Sequence, residues 1–139
     1  MKAKFTIWGP PKGKGRHRTA SGHSYTPDDT AQYENLVKVE FRRQCRGVRF
    51  DKGVPLDVRI TAYYPIPKSV SKKKHALMLQ HRIRPVVKPD YDNIGKIVCD
   101  SLNQIAYYDD AQICDSQVRK FYSDEPRVVV TIQEASTSF

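Results

Sequence analysis

Alternating apolar and polar residues mark three stretches of the chain as strands that each bury one side. They are Lys2–Trp8, Leu56–Tyr64 and Gln112–Tyr122. A valine-rich stretch, Arg127–Gln133, predicts a fourth strand, and the residues just before it, Ser123–Pro126, have the composition of a turn. Because this turn is short, we expect the last two strands to pair as an antiparallel hairpin.

Apolar residues at helical spacing predict three helices between these strands. A capping threonine, Thr26, begins the first helix, and Gly47 is its expected stop. The helices are predicted over residues 26–47, from Ser69 or Ser71 to Leu79, and over Asp90–Ile105. The chain, residues 1–139, is therefore predicted to form a single domain of the α/β (α+β) class. In it, a mixed sheet of about four strands packs with about three helices.

The chain is strongly basic, with 24 Lys and Arg against 15 Asp and Glu and a net charge of +9. Such an excess is typical of proteins that bind a phosphate backbone, although it also serves solubility. The bases concentrate in the glycine-rich loop after the first strand and at the start of the second helix. That loop lacks the glycine-lysine-serine/threonine sequence of a nucleotide-binding P-loop. We expect DNA contacts from Lys12, Lys14, Arg16, Arg18, Lys72, Lys73 and Lys74.

Several classes of protein are excluded by what the sequence lacks. It has no apolar run near the roughly 20 residues of a membrane span, and its first residues alternate instead of forming the apolar core of a signal peptide. The three cysteines form no C-x-x-C pair and no zinc-binding spacing, which favours reduced thiols. We therefore expect a cytoplasmic protein with neither a membrane partner nor a small-molecule cofactor.

Acidic residues gather around Lys96 in the segment 88–112, against the basic background of the chain. Asp92, Lys96 and Asp100 follow one another at steps of four residues and so share one face of the third helix. Asp90 is expected at the start of that helix. Taken singly, these residues could be an ordinary helix cap and a surface ion pair.

A second acidic feature, the turn at Asp109-Asp110, follows the third helix. Carboxylates from the helix start and from this turn are the ligands that Mg²⁺ prefers. A metal held there could polarise a phosphate, and Lys96 could stabilise the charge that develops. The spacing leaves open whether Asp110 reaches Asp90 in space.

Three blocks carry a resemblance to a known family: 90–96 (DYDNIGK), 100–103 (DSLN) and 109–112 (DDAQ). Together they resemble the RusA family of Holliday junction resolvases. The segments 9–16, 24–27 and 67–74 look like the phage and Gram-positive branch of that family. The resemblance implies a homodimeric, Mg²⁺-dependent endodeoxyribonuclease, with Mn²⁺ as a substitute metal. Such an enzyme nicks four-way DNA junctions symmetrically during recombination and repair, in a bacterial or phage-infected cell.

The resemblance also implies roles for individual residues. The metal-binding aspartates of the family match Asp90, Asp92 and Asp110, and its essential lysine matches Lys96, so these four residues are the predicted catalytic set. Two further shared acids match Asp100 and Asp109, and their role is left open.

Three alternatives stand beside this interpretation. Restriction-enzyme-like nucleases place an acid two residues before a lysine on a strand, whereas Val118 holds that position before Lys120. These nucleases are one example of the first alternative, another kind of metal-dependent DNA nuclease. The second alternative is a non-catalytic basic DNA-binding module. A metal-dependent nucleotide hydrolase would have little use for so large a basic surface.

Overall fold

A computed structural model of the chain describes residues 1–14 and 27–137. Within these residues, one mixed four-stranded sheet with the order β1-β4-β2-β3 packs with three α-helices. The predicted α+β class is therefore confirmed. The elements are β1 (Lys2–Trp8), α1 (Pro27–Gln44), β2 (Leu56–Pro65), α2 (Lys72–Leu79), α3 (Tyr91–Ser101), a 3₁₀-helix (Asp110–Gln112), β3 (Ile113–Ser123) and β4 (Arg127–Glu134).

The predicted hairpin between the last two strands is wrong. Strand β2 lies between them, parallel to β3 and antiparallel to β4, and β4 also pairs with β1. Ser123 is opposite Pro65 and Arg127 is opposite Tyr63, so the three residues of the turn pass the end of β2. The most buried strand thereby takes an interior position, with Leu56, Val58, Ile60, Ala62 and Tyr64 all in the core.

The core lies between one face of the sheet and the helices α1 and α3. Phe5 of β1 meets Phe41 of α1 edge to face, with 5.4 Å between ring centroids and 82° between the ring planes. Helix α3 turns Ile94, Ile97 and Val98 into the same core, and all three are fully buried. This packing fixes the orientation of α3, so its opposite side is presented to solvent.

Helix α3 ends at Ser101, four residues before the predicted end at Ile105. The apolar spacing continues past Ser101, but the backbone does not, because Gln104 adopts a left-handed conformation with φ of 66°. The buried residues that follow the helix, among them Ala106 and Tyr107, therefore pack from a turn.

The other two helices follow the sequence signals more closely. Helix α1 begins at Pro27 and ends at Gln44, and the predicted stop Gly47 has a positive φ of 74°. Its predicted cap, Thr26, lies outside the described residues. Of the two serines considered for α2, Ser71 is the cap, because its Oγ accepts a hydrogen bond from the backbone nitrogen of Lys74 at 3.2 Å.

The structure also describes the cysteines and the apolar character of the helices. All three cysteines are free thiols, with Cys45 buried, Cys99 partly buried and Cys114 exposed. Among the described residues, no helix combines the length and the apolar character needed to cross a membrane.

Candidate active site

The start of α3 presents two aspartates to solvent. Asp90 occupies the N-cap position with extended backbone angles, and its side chain makes no capping hydrogen bond. Asp92 follows in the first turn, and both residues are exposed. The carboxylate of Asp90 therefore remains available to another partner, although its position is one that usually caps a helix.

The polar face of α3 continues with Lys96 and Asp100. Lys96 is exposed, and within the part of the chain that the structure describes it forms no ion pair with Asp92. Asp92 and Asp100 are separated by two turns, about 12 Å along the helix axis at 1.5 Å per residue. A single metal ion binds carboxylates at 2.0–2.6 Å, so it cannot bridge these two residues directly.

The acidic turn is fixed by Gln112. Asp109 caps the 3₁₀-helix by accepting a hydrogen bond from the nitrogen of Ala111 at 2.9 Å. In return, Oε1 of Gln112 accepts hydrogen bonds from the nitrogens of Tyr108 and Asp109, at 3.0 and 3.1 Å. The amide nitrogen of Gln112 donates to two carbonyls in the segment 51–54, at 2.9 and 3.0 Å. One side chain thus holds the turn closed and fastens it to the segment before β2.

Asp100, Asp109 and Asp110 form an acidic cluster at the end of α3. The nitrogen of Asp110 donates a hydrogen bond to Oδ1 of Asn103 at 2.8 Å, which brings the turn back against the helix end. Burial raises the pKa of the Asp110 carboxyl above its ordinary value, and side-chain hydrogen bonds with Asp109 and Asp100 raise it further. Asp100 and Asp109 are therefore close enough to disfavour the charged form of Asp110.

Lys14 supplies a positive charge to this cluster. Its Nζ donates a hydrogen bond to Oδ2 of Asp100 at 2.7 Å and lies 3.9 Å from Oε2 of Glu34. The hydrogen bond with Asp100 raises the pKa of Lys14 above its ordinary value. The cluster is thus partly neutralised by a residue from a distant part of the chain.

The loop that carries Lys14 rests on the first turn of α3. The backbone nitrogen of Lys14 donates to the carbonyl of Asn93 at 3.0 Å. A Cβ atom at Gly13 would lie 2.9 Å from the Cβ atoms of Asn93 and Pro89, so only glycine allows this close approach. Lys14 therefore runs along the polar side of α3, with its backbone beside Asn93 and its ammonium group at Asp100.

A second basic residue, Lys120 of β3, lies near Asp90. Its Nζ donates to the carbonyl of Val87 at 2.7 Å and lies 5.0 Å from the centroid of the Tyr64 ring. Burial raises the pKa of Tyr64, and the charge of Asp90 raises it further. Burial lowers the pKa of Lys120, whereas Asp90 acts in the opposite direction. Side chains alternate along β3, so Lys120 faces the same side of the sheet as Val118 and Tyr122. That alternation is the sequence signal from which the position of Lys120 near Asp90 could have been predicted.

The predicted site residues thus fall into two groups along α3. Asp90 and Asp92 lie at its exposed start, with Lys96 one turn further on in the middle of the helix, and Asp110 lies with Asp100 and Asp109 at its end. Within residues 1–14 and 27–137, no three His, Cys, Asp or Glu side chains stand together as a ready metal site. The assignment of Asp90, Asp92 and Asp110 as one ligand set stays a prediction.

The predicted DNA-binding residues also differ in their surroundings. Lys12 is exposed in the loop, whereas Lys14 is engaged with Asp100. Lys72, Lys73 and Lys74 are exposed in the first turn of α2. Arg16 and Arg18 lie outside the described residues. Contact of any of these residues with DNA stays a prediction.

Comparison with known proteins identifies the family to which the chain belongs. The family model described as endodeoxyribonuclease RusA matches residues 9–133, from the loop before Lys14 almost to the end of β4. The match assigns the chain to a class of DNA-cleaving enzymes, the endodeoxyribonucleases. In particular, the chain belongs to the RusA family, as its sequence motifs predict. It is also 39% identical over 139 residues to the uncharacterized protein YqaN of Bacillus subtilis (strain 168), with 96% of each chain covered.

Proposed function

We propose that this chain is a Mg²⁺-dependent endodeoxyribonuclease that resolves four-way DNA junctions by paired, symmetric nicks. The observation that carries the proposal is the family match over residues 9–133, which spans the loop of Lys14, helix α3 and the acidic turn. The proposed partners are branched DNA and a second copy of the chain, because two coordinated nicks need two active sites. The proposed setting is recombination and repair in the cytoplasm of a bacterial or phage-infected cell.

Asp90 and Asp92 are the proposed metal ligands at the start of α3, with Asp110 as the third. The donor set fits a hard divalent cation such as Mg²⁺, or Mn²⁺ in its place, because it consists of carboxylate oxygens. Asp90 is exposed and makes no capping hydrogen bond, so its oxygens are available. When bound, the metal would polarise the phosphate to be cleaved and lower the pKa of an attacking water.

The lysines of the site have separate proposed tasks. Lys96 is exposed one turn after Asp92, where its ammonium group can contact the phosphate and stabilise the charge that develops on it. Lys14 neutralises Asp100 at 2.7 Å and so lessens the repulsion between the acidic cluster and a DNA backbone. Lys96 and the ammonium group of Lys14 at Asp100 are therefore about one turn apart along the same helix face.

Cleavage of a synthetic four-way junction tests the proposal. The wild-type chain should nick opposing strands in the presence of Mg²⁺ and leave them intact in EDTA. Asp90→Asn should lower the cleavage rate on the order of a hundredfold or more, while junction binding in EDTA is retained. Glu125→Gln is the matched control, because Glu125 is an exposed acid in the turn between β3 and β4.

Three results would contradict the proposal in different ways. Undiminished cleavage by Asp90→Asn would contradict the assignment of Asp90 as a metal ligand. Binding without cleavage by the wild-type chain would favour a non-catalytic DNA-binding module. Light scattering that gives the mass of one chain, both alone and on the junction, would contradict paired nicking by a dimer.

A further inference from the structure

The face of the sheet that points away from α1 and α3 carries a charge pattern that the proposed active site does not use. This open face consists of every second residue of the four strands, and the strand register aligns these residues in four rows across the sheet. From β1 to β3 the rows are Lys2-Gln133-Asp57-Asp115, Lys4-Thr131-Arg59-Gln117, Thr6-Val129-Thr61-Arg119 and Trp8-Arg127-Tyr63-Phe121.

Positive charge dominates most of the open face. Its acids, Asp57 and Asp115, both stand in the first row, and Asp57 is buried and paired with Arg59 at 3.4 Å. The other three rows hold four cations and no acid. A shallow depression of about 460 Å³ runs among these rows, with Lys4, Arg59, Arg119 and Arg127 in its lining. The surface is therefore attractive to a polyanion.

The last two rows combine arginines with aromatic rings. The guanidinium of Arg127 lies 3.9 Å from the centroid of the Tyr63 ring and 5.9 Å from that of Trp8. The guanidinium of Arg119 lies 5.0 Å from the centroid of Phe121. A stacked guanidinium has a fixed plane. Nη1 of Arg127 also donates to Oγ of Ser123 at 3.2 Å and to the carbonyl of Glu125 at 2.8 Å, so the remaining N–H groups of this guanidinium are the ones that can meet phosphate oxygens. These arginines are thus held in place before any ligand arrives.

We infer that the open face binds the sugar-phosphate backbone of a DNA duplex arm, a role that rests on the proposed function. Lys4 and Arg119 stand in neighbouring rows and lie about 16 Å apart, and the strands that carry them are separated by three spacings of about 4.8 Å, which makes the face roughly 14 Å wide. This width is similar to the roughly 12 Å of a DNA major groove, so the face can meet phosphates of both strands. Arg84 extends the positive surface around the edge of β3, since its guanidinium lies 4.3 Å from the Phe121 centroid.

A second copy of the chain is the other natural occupant of an uncovered sheet face. The charge pattern disfavours it, because charged residues are depleted in the core of protein–protein interfaces. Two such faces would also bring like charges together, without acids in the three basic rows to pair with them. The DNA backbone offers the complementary charge.

A double variant, Lys4→Gln with Arg119→Gln, tests the inference. Both side chains are exposed and lie on the two edge strands, so their replacement should leave the core intact. Binding of a duplex and of a four-way junction is measured by fluorescence anisotropy in EDTA, which makes the result independent of cleavage. Losing two phosphate contacts should lower affinity tens of fold at about 0.1 M salt and reduce the salt slope by roughly 1.8.

The matched control is Arg42→Gln with Arg46→Gln, which removes the same charge from the end of α1 and just beyond it, on the other side of the sheet. We expect it to bind within about threefold of the wild-type chain. An equal loss in both double variants would mean that binding follows net charge alone, and would overturn the inference. Junction cleavage by the wild-type chain together with normal binding by the Lys4/Arg119 variant would overturn it while leaving the proposed function in place.

Trp8 provides a test that needs no substitution. It is the only tryptophan of the chain, it lies in the last row, and its side chain is 56% exposed. Duplex DNA in EDTA should protect its fluorescence from acrylamide several-fold. Protection that depends on protein concentration, with DNA absent, would instead identify the open face as a contact between two copies and overturn the inference. Unchanged quenching with saturating DNA would overturn it as well.

Discussion

The contact between Lys14 and Asp100 should contribute measurably to the stability of the chain. Their side chains are 33% and 27% exposed, so the pair lies between a surface pair and a buried one. Exposed pairs contribute about 0.2–1 kcal/mol, and hydrogen bonds to charged groups about 1.5–3 kcal/mol. Lys14→Met should therefore lower the free energy of unfolding by about 1–2 kcal/mol. For a domain of this size that corresponds to a fall in Tm of about 3–7 °C.

A double-mutant cycle isolates this contact from other effects of the substitution. Urea unfolding is measured for Lys14→Met, for Asp100→Asn and for the chain with both changes. The sum of the two single losses of unfolding free energy should exceed the loss in the double variant by about 1 kcal/mol, because each single change leaves the other residue without its partner. Arg43→Met with Glu40→Gln gives a matched cycle on α1, where the pair is 2.6 Å apart but Arg43 is well exposed, and its coupling should be much smaller.

The pH of the measurement follows from the direction of the pKa shift. The pKa of Lys14 is raised above its ordinary value of 10.5, because the charged form is favoured beside Asp100. Its contribution to stability is therefore fully present below pH 10.5 and is lost as the pH rises through the higher, folded-state pKa. At pH 7.5 the contribution of Lys14 to stability is therefore fully present. Additive losses in the cycle, or a rise in Tm with Lys14→Met, would show that the contact does not hold the loop.

Two further substitutions examine the supports of the candidate site. Gln112→Ala removes side-chain hydrogen bonds to four backbone groups, so we expect a loss of about 2–3 kcal/mol in urea unfolding; a loss under about 0.5 kcal/mol would contradict its role in closing the acidic turn. Gly13→Ala puts a methyl group 2.9 Å from the Cβ of Asn93, so the loop must shift. The amide of Lys14 should then exchange hydrogen markedly faster, whereas Lys12→Ala in the same loop should leave that rate unchanged.

The main features of the fold follow from local pattern, and the pairing of strands does not. Alternation located three strands and a valine-rich composition the fourth, and apolar spacing located all three helices, because each element buries one side in a common core. The pairing of β3 was predicted wrongly because a short turn favours a hairpin, whereas burial decides which strand lies inside. The hydrophobic pattern also predicted an α3 that is too long at its C-terminal end, since the pattern cannot show that Gln104 leaves the helical conformation.

The residues of the candidate site were visible in the sequence, but their neighbours were not. The acids stood out because they interrupt a basic chain, and their spacing on one helix face followed from helical periodicity. The contact of Lys14 with Asp100 joins residues 86 positions apart, so no local pattern contains it. The same limit hid the open face, since its cations are single residues on four strands and form a surface only when the register is known.

The position of β4 has a consequence for how the chain is made. This last strand lies between β1 and β2, and Lys2 of β1 is paired with Gln133. During synthesis, the first strand has no place in the sheet until β4 has been translated. Contacts between such distant parts of a chain slow folding and leave strand edges exposed in the meantime. A ribosome-bound chain that lacks β4 could therefore form only the β2–β3 pair of the sheet, and we expect any nicking activity to arise only after nearly all of the domain has been translated.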